Sequence, residues 1–416
     1  MDPADLDLSL SDRGRALYGR LRAFLDEHVH PVGDELTAQM DALDGPEPFP
    51  PLMAQLRAMA REAGLWNLFL ADPEHGAGLS NVDYGHLCEL LGHHEWAPMV
   101  CNCQFPDTGN MEILLQHGDE AQRARWLAPL LGGETRSCFA LTEPDVSSSD
   151  PTGIETRARR DGDGWVLDGR KWFISGAIGA EVCILMASTD PGGPRHERLT
   201  VFLVPMDAPG LEVVRRVPLF GHAGGPGHAE LRLEGCRVGD DAVLGEVGQG
   251  FQIAQDRLGP GRIHHCMRQV GAAEHALALA TDRAATRPHL DGVLADTQLV
   301  REHLAEARVE LDAARLLVLR AARAIDLHGK RAAYRHISIA KLHTARMVQD
   351  VVDRAIQVHG ALGMSDDTPL ARMWVVARAL RLGDGADEVH VLTIAKHELR
   401  DRERRLAEQG GAPAAA

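Results

Sequence analysis

The chain has 416 residues, 44% of them hydrophobic, and a formal net charge of −16 at pH 7. That length is enough for two or three domains and a large core. The acidic balance excludes a broad nucleic-acid surface, which would be repelled by a polyanion, but a few local arginines and helix N-termini can still hold a phosphorylated cofactor.

Residues 11–132 read as helical. Leu17, Leu21, Phe24, Leu25 and Val29 recur at helical spacing, as do Leu52, Leu56, Met59 and Ala63, with Gly64 as a stop. The stretch Asp72-Pro-Glu-His-Gly-Ala-Gly-Leu79 has turn chemistry, and a helix follows from Asp83 to Leu91. Near Cys138 the pattern changes. Ile154 to Arg160, the turn Asp161-Gly-Asp-Gly164 and Trp165 to Leu167 make a hairpin. Asp168-Gly169 then separates a short strand, Lys171 to Ser175. Further short apolar runs cover Val182–Ala187, Thr200–Val204, Leu211–Val217 and Ala229–Leu233. After Gly250 the chain is helical again. One helix over Val300–His328 carries Leu304, Ala307, Leu311, Ala314, Leu317 and Val318. Another over Ile337–Val358 carries Ile339, Leu342, Met347, Val351 and Ile356. Arg287-Pro288 interrupts a helical pattern and calls for a break. Gly259-Pro-Gly-Arg262 reads as a glycine turn opening a helix.

The order helical, β, helical is α+β, with no glycine-rich dinucleotide fingerprint after a strand. The expected division is a helical domain over 1–137, a β-domain over 138–246, a helical bundle over 247–405 and a disordered tail over 406–416. No apolar run approaches the length of a membrane span, and the acidic start lacks signal-peptide character. Seven irregularly spaced cysteines are no disulfide framework and fit reduced thiols in the cytoplasm. No metal site is expected. Cys101-Asn-Cys103 lacks zinc-knuckle spacing, and adjacent helical residues such as His93-His94 or His264-His265 point about 100° apart. Both histidine pairs read as surface or core residues.

Five segments carry the chemistry. They are Cys138-Phe-Ala-Leu-Thr-Glu-Pro-Asp-Val-Ser-Ser-Ser-Asp150, Gly169-Arg-Lys-Trp-Phe-Ile-Ser-Gly-Ala177, Arg257-Leu-Gly-Pro-Gly-Arg-Ile263, Arg287 with Gln298, and Gln357 to Gly363 followed by Asp384-Gly385. Singly they read as a turn, a core strand, a helix start, surface polar residues and an Asp-Gly turn. In this order they resemble the acyl-CoA dehydrogenase family. The closest likeness is to a subgroup with an Asp-Gly motif that includes kinase-fused dehydrogenases.

The resemblance implies an N-terminal helical domain, a middle β-barrel and a C-terminal four-helix bundle, with FAD as cofactor and an acyl-CoA as substrate. It implies that Phe139, Leu141, Thr142, Ser148, Phe173 and Ser175 line the cofactor. Ser148, Gly261, Arg262 and Gly385 would line the substrate, with Arg262 near the CoA adenosine. Arg287, Gln298, Gln357, Val358, Gly360 and Ala361 would reach the FAD of a neighbouring subunit, in a homodimer or homotetramer. Asp384 would be the base that removes a proton beside the thioester while a hydride passes to the flavin, giving a trans-2-enoyl-CoA. An electron-transfer flavoprotein or similar acceptor would then take the electrons. Some members place their base at the position of Gly261, where glycine leaves Asp384 alone. The chain departs from the usual pattern at Leu290-Asp291, Ala361 and Asp384-Gly-Ala386. Asp is about 1.5 Å shorter than the usual Glu, so backbone or substrate must come closer. Two other readings remain open: a flavin oxidase or monooxygenase on the same fold, and a flavin-binding scaffold without turnover.

Overall fold

The structure is a computed structural model that describes residues 6–43, 49–222 and 227–409. Helices α1 (Asp12–Phe24), α2 (Gly33–Asp41), α3 (Pro51–Glu62), α4 (Asn81–Gly92), α5 (Ala97–Val100), α6 (Asp107–His117), α7 (Glu120–Gln122) and α8 (Ala128–Gly132) come first. Strands follow: β1 (Ser137–Ala140), β2 (Arg157–Asp161), β3 (Gly164–Ser175), β4 (Val182–Ser188), β5 (Leu199–Pro205), β6 (Leu211–Arg216), β7 (His228–Gly239) and β8 (Val243–Leu244). Then come α9 (Gly250–Thr286), the small pair β9 (Pro288–His289) and β10 (Gly292–Val293), α10 (Gln298–Ala332), α11 (Tyr334–His359), α12 (Leu370–Leu380) and α13 (Asp387–Glu408). The chain is therefore α+β in the expected order. By packing it forms two compact units, one of residues 12–80 and 94–261, the other of residues 1–11, 81–93 and 262–416.

In the first unit, the apolar residues of α1 are buried as their spacing predicts, and Gly64, at φ 68°, ends the α3 region in a left-handed turn. The sheet is ordered β6-β7-β3-β2-β4-β5-β8, with β1 on β4, so its hydrogen-bonded order has two ends where a barrel was expected. β4 and β5 are buried on both faces and read as continuous apolar runs, while β6 is largely exposed. Asp168-Gly169 does not end a strand. β3 runs through it with a register shift, and Asp168 Oδ1 accepts the Gly235 amide at 2.7 Å. Any Cβ at Gly169 would meet the Thr156 backbone at 2.8 Å, so glycine is required by close approach.

In the second unit, α11 packs against α10, α12 and α13. Its buried face is Ile337, Ala340, Lys341, Thr344, Val348 and Val351, offset from the face expected, with Ile339 and Leu342 only half-buried. α10 is broken at Gly329, at φ 78°. α9 begins at Gly250 and runs through 259–262, so Gly259-Pro-Gly-Arg262 does not open it. It ends before Arg287-Pro288, where the expected break is the β9–β10 turn. α13 continues to Glu408, through the first residues of the tail expected from 406; residues 410–416 lie outside the described residues.

α4 and α9 cross backbone to backbone. A Cβ at Gly271 would collide with the Glu89 carbonyl, and one at Gly92 with the Arg268 carbonyl. An ion cluster ties the same helices to α10: Arg315 donates to Glu89 at 2.8 Å and to Glu274 at 2.7 Å, and Arg308 to Glu274 at 2.6 Å. The Arg308 and Arg315 hydrogen bonds outweigh burial and hold the Glu274 carboxyl down at about 2. All seven cysteines are buried and unbridged, and burial pushes the Cys266 thiol up to about 12.

Gly271→Ala is expected to cost about 1–3 kcal/mol through overpacking, read as a lower urea midpoint. Gly153→Ala, whose Cβ meets nothing within 4 Å, should leave the midpoint unchanged.

Candidate functional site

In the sheet unit, the segment after β1 is clasped onto β3. The Trp172 amide donates to Thr142 O at 3.1 Å, and the Thr142 hydroxyl donates back to Trp172 O at 2.5 Å. The Thr142 hydroxyl proton is thus committed to the protein backbone. Below it lies a buried ion pair, Lys171 Nζ to Glu143 Oε1 at 2.9 Å, with side-chain exposures of 0% and 5%. Lys171 also donates to Leu141 O at 3.0 Å. Glu143 accepts the amides of Glu155 and Thr156 at 2.7 and 2.9 Å, and the Glu143 amide donates to Ser148 Oγ at 3.0 Å. Burial raises the Glu143 carboxyl, but the Lys171 charge and these donors outweigh it and hold it below its ordinary value.

The clasp adjoins a β-bulge. Lys171 and Ile174 pair with Leu231 and Ala229, so Trp172 and Phe173 together face one residue, Glu230. Phe173 takes φ 52°, and its ring stands 41% exposed. A bulge re-aims side chains in this way. Ser175 Oγ lies 2.9 Å from His228 Nδ1, and burial lowers the pKa of His228. Phe139 is half-buried beneath the Arg257 guanidinium, 4.2 Å from its ring centroid. An exposed aromatic face two residues from a serine hydroxyl, on a rigid backbone clasp, is a surface that suits a flat heteroaromatic ring. Phe139, Leu141, Thr142, Ser148, Phe173 and Ser175 all belong to this unit. A cleft of about 740 Å³ lined by Arg157, Arg159, Arg160, Trp165 and Asp190 lies elsewhere on it and contains none of them.

In the helical unit, Asp384 sits in the turn between α12 and α13. Asp384 and Gly385 both take left-handed backbone, at φ 54° and 101°. Asp tolerates this better than most residues and Gly best. The turn is held by cations. Arg262 Nε donates to Asp384 O at 2.8 Å, and Lys341 Nζ donates to Leu380 O at 2.6 Å. Arg346 and Arg381 reach Asp387 Oδ2 at 3.2 and 3.0 Å. The Asp384 carboxylate is 12% exposed, and its Oδ2 is 3.0 Å from His265 Nε2. His390 is buried against this turn, where desolvation and the Arg262 charge push it to about 3 and keep it neutral.

Arg262, expected near the CoA adenosine, is 4% exposed, bonds the Asp384 carbonyl and packs beside Tyr334. Gly261 lies just before it, inside α9. Arg287, Gln298, Gln357, Gly360 and Ala361 are exposed, while Val358 is buried. His265 is the residue the sequence reading missed. It was set aside with His264, yet only His264 is a core residue, edge-on to Tyr84 at 4.8 Å. The available signal was spacing, since residue 265 lies one helical turn beyond Gly261.

Comparison with known proteins identifies the pattern. Residues 11–134, 138–236 and 248–399 match the sequence models of the N-terminal, middle and C-terminal domains of acyl-CoA dehydrogenases. The chain is 46% identical to the mouse "Acyl-CoA dehydrogenase family member 10" over 95% of its own length and 38% of that protein. It is also 46% identical to the "Probable acyl-CoA dehydrogenase FadE2" of Mycobacterium tuberculosis, over 95% and 97%. It thus spans well under half of the first relative and nearly all of the second. A putative acyl-CoA dehydrogenase of Mycobacterium abscessus superimposes with a TM-score of 0.91 at 44% identity, over 95% of this chain and all of that one.

Lys171→Met would leave the Glu143 carboxylate buried without its charge partner and is expected to cost about 3–5 kcal/mol, with Glu143→Gln restoring part of it. Because the Glu143 carboxyl is depressed in the folded protein, its contribution is present above the ordinary value of 4.5 and lost as pH falls through the folded value. Urea unfolding of the parent and double variant between neutral and acid pH should therefore converge on acidification.

Proposed function

The chain belongs to the acyl-CoA dehydrogenase family, enzymes that are flavoproteins with FAD as cofactor, and from that premise we propose that it oxidises an acyl-CoA to the trans-2-enoyl-CoA with Asp384 as base. The observation that carries this reading is the Asp384 carboxylate: a mostly buried acid on a turn whose backbone is locked by Arg262 and Lys341. Bound FAD supplies the acceptor for the hydride that leaves the β-carbon.

The protein's own residues do the rest. Asp384 takes the α-proton, so the substrate loses one proton and one hydride and gains one C=C bond. A carboxylate moved out of water by an acyl chain becomes a stronger base. The locked turn keeps it in place while the substrate closes the distance, since general bases act within about 2.6–3.2 Å. The backbone amide of Asp384 itself is suited to the thioester oxygen, with Gly385 lining the substrate beside it. In the sheet unit, the Thr142 clasp, the Phe173 ring and Ser175 would hold the flavin, with Phe139, Leu141 and Ser148 around them. The exposure of Arg287, Gln298, Gln357, Gly360 and Ala361 suits residues that serve a neighbouring subunit's cofactor. We therefore propose a homodimer or homotetramer that passes electrons to an electron-transfer flavoprotein in the cytoplasm. No helix among the described residues is long and apolar enough to cross a membrane.

Asp384→Asn should keep FAD and acyl-CoA binding but slow anaerobic flavin bleaching by at least about 100-fold, measured by stopped-flow absorbance. Bleaching at the parent rate would overturn the assignment. Asp384→Glu should also be slower, because the added methylene pushes into the substrate space that the fixed turn leaves. The purified protein should hold about one FAD per chain and run as a dimer or larger in light scattering; a monomer that retains FAD tightly would contradict the neighbour role of Arg287, Gln298 and Gln357.

A further inference from the structure

His265 lies outside every motif assigned above, yet it is the side chain whose ring nitrogen meets the Asp384 carboxylate, with Nε2 and Oδ2 3.0 Å apart. Its other nitrogen is also engaged: Arg268 Nη2 lies 3.1 Å from His265 Nδ1. A guanidinium can only donate, so Nδ1 must be the acceptor and the single ring proton of a neutral imidazole must sit on Nε2. Burial lowers the pKa of His265, outweighing the pull of Asp384, and keeps the ring neutral. The Arg268 guanidinium thus faces Nδ1, and the protonated Nε2 stands 3.0 Å from Asp384 Oδ2.

Resting on the reading of Asp384 as base, we propose that His265 is its positioning residue. From a distance of 3.0 Å, the Nε2–H group would bond and orient a short, single-methylene carboxylate and favour its ionised form, the form able to take a proton. His265 is not itself the base, because its one lone pair is turned to Arg268. Other charged or titratable groups near the pair include Arg262, His264 and Cys266 on α9, Tyr334 and Lys341 on α11, and Asp387 and His390 beyond the turn. Arg262 and Lys341 bond main-chain carbonyls there, so His265 acts on the carboxylate while the cations act on the backbone that carries it.

The test compares His265→Phe, His265→Gln and His265→Asn with the parent and with Asp384→Asn. His265→Phe keeps a ring and loses the donor. It should retain FAD and bind a non-reducible acyl-CoA analogue as the parent does, yet bleach about 10-fold or more slowly, with the acid limb of the bleaching rate moved to higher pH by about one unit. His265→Gln can present an amide N–H near the position of Nε2 and should recover to within about threefold of the parent; His265→Asn is too short to reach Oδ2 and should not. If His265→Phe does not fold, the Gln–Asn comparison decides alone. In the ligand-free parent, nitrogen NMR should show His265 protonated at Nε2, and Asp384→Asn should shift that signal. Parent rates and pH profile in His265→Phe, with Asp384→Asn inactive, would overturn the positioning role and leave the base assignment standing. Equal slowing in the Gln and Asn variants, without a pH shift, would reduce His265 to packing and also overturn it. An Asp384→Asn protein that bleaches normally would remove both.

Discussion

The turn between α12 and α13 exists because buried cations complete it. Two consecutive left-handed residues leave main-chain carbonyls turned inward, away from water. Arg262 and Lys341 meet the carbonyls of Asp384 and Leu380 with charge-assisted hydrogen bonds. Burying an ammonium as fully as Lys341 costs free energy, and desolvation lowers its pKa, but its acceptors offset this in place. Asp384 and Asp387 supply the compensating negative charge nearby. The carboxylate proposed as base is thus one member of a cluster whose cations also hold the main chain that carries it.

The sheet unit uses the same device with the roles exchanged. Here the inward-facing anion is Glu143, and it gathers Lys171 and two amides while Lys171 bonds the Leu141 carbonyl. The consequence is local rigidity next to a bulge whose Phe173 ring is pushed outward. Both units therefore build an exposed or reactive group on irregular backbone and stiffen that backbone with a buried ion. Strained positions of this kind hold only where the surroundings over-determine them.

Much of this was legible in the sequence. Helical periodicity gave α1, α3 and α10, alternating and continuous apolar runs gave most of the strands, and Arg287-Pro288 gave a break. The motif order pointed to Asp384 and to the Thr142 and Phe173 segments. What was not legible came from two sources. Local glycine signals misled: Asp168-Gly169 is an in-strand adjustment and Gly259-Pro-Gly-Arg262 lies within a helix, because pairing and packing override turn propensity. Partners distant in sequence were invisible. Spacing puts residue 265 one turn beyond Gly261, but it does not say that one ring of His264-His265 meets Tyr84 and the other lies beside Asp384, and the carbonyl acceptor of Arg262 is 122 residues away. The face of α11 was misjudged for a related reason, since the reading counted apolar residues and Lys341, a charged one, belongs to the buried face.

The burial of all seven thiols gives the molecule an intrinsic gauge of its own opening. A thiolate is the reactive form; burial hides these sulfurs, and at Cys236 and Cys266, which lie in different units, it also disfavours ionisation. An electrophile added to the native protein would wait for the core around each sulfur to breathe. The order in which the cysteines become modified would rank the two units by how often each one loosens.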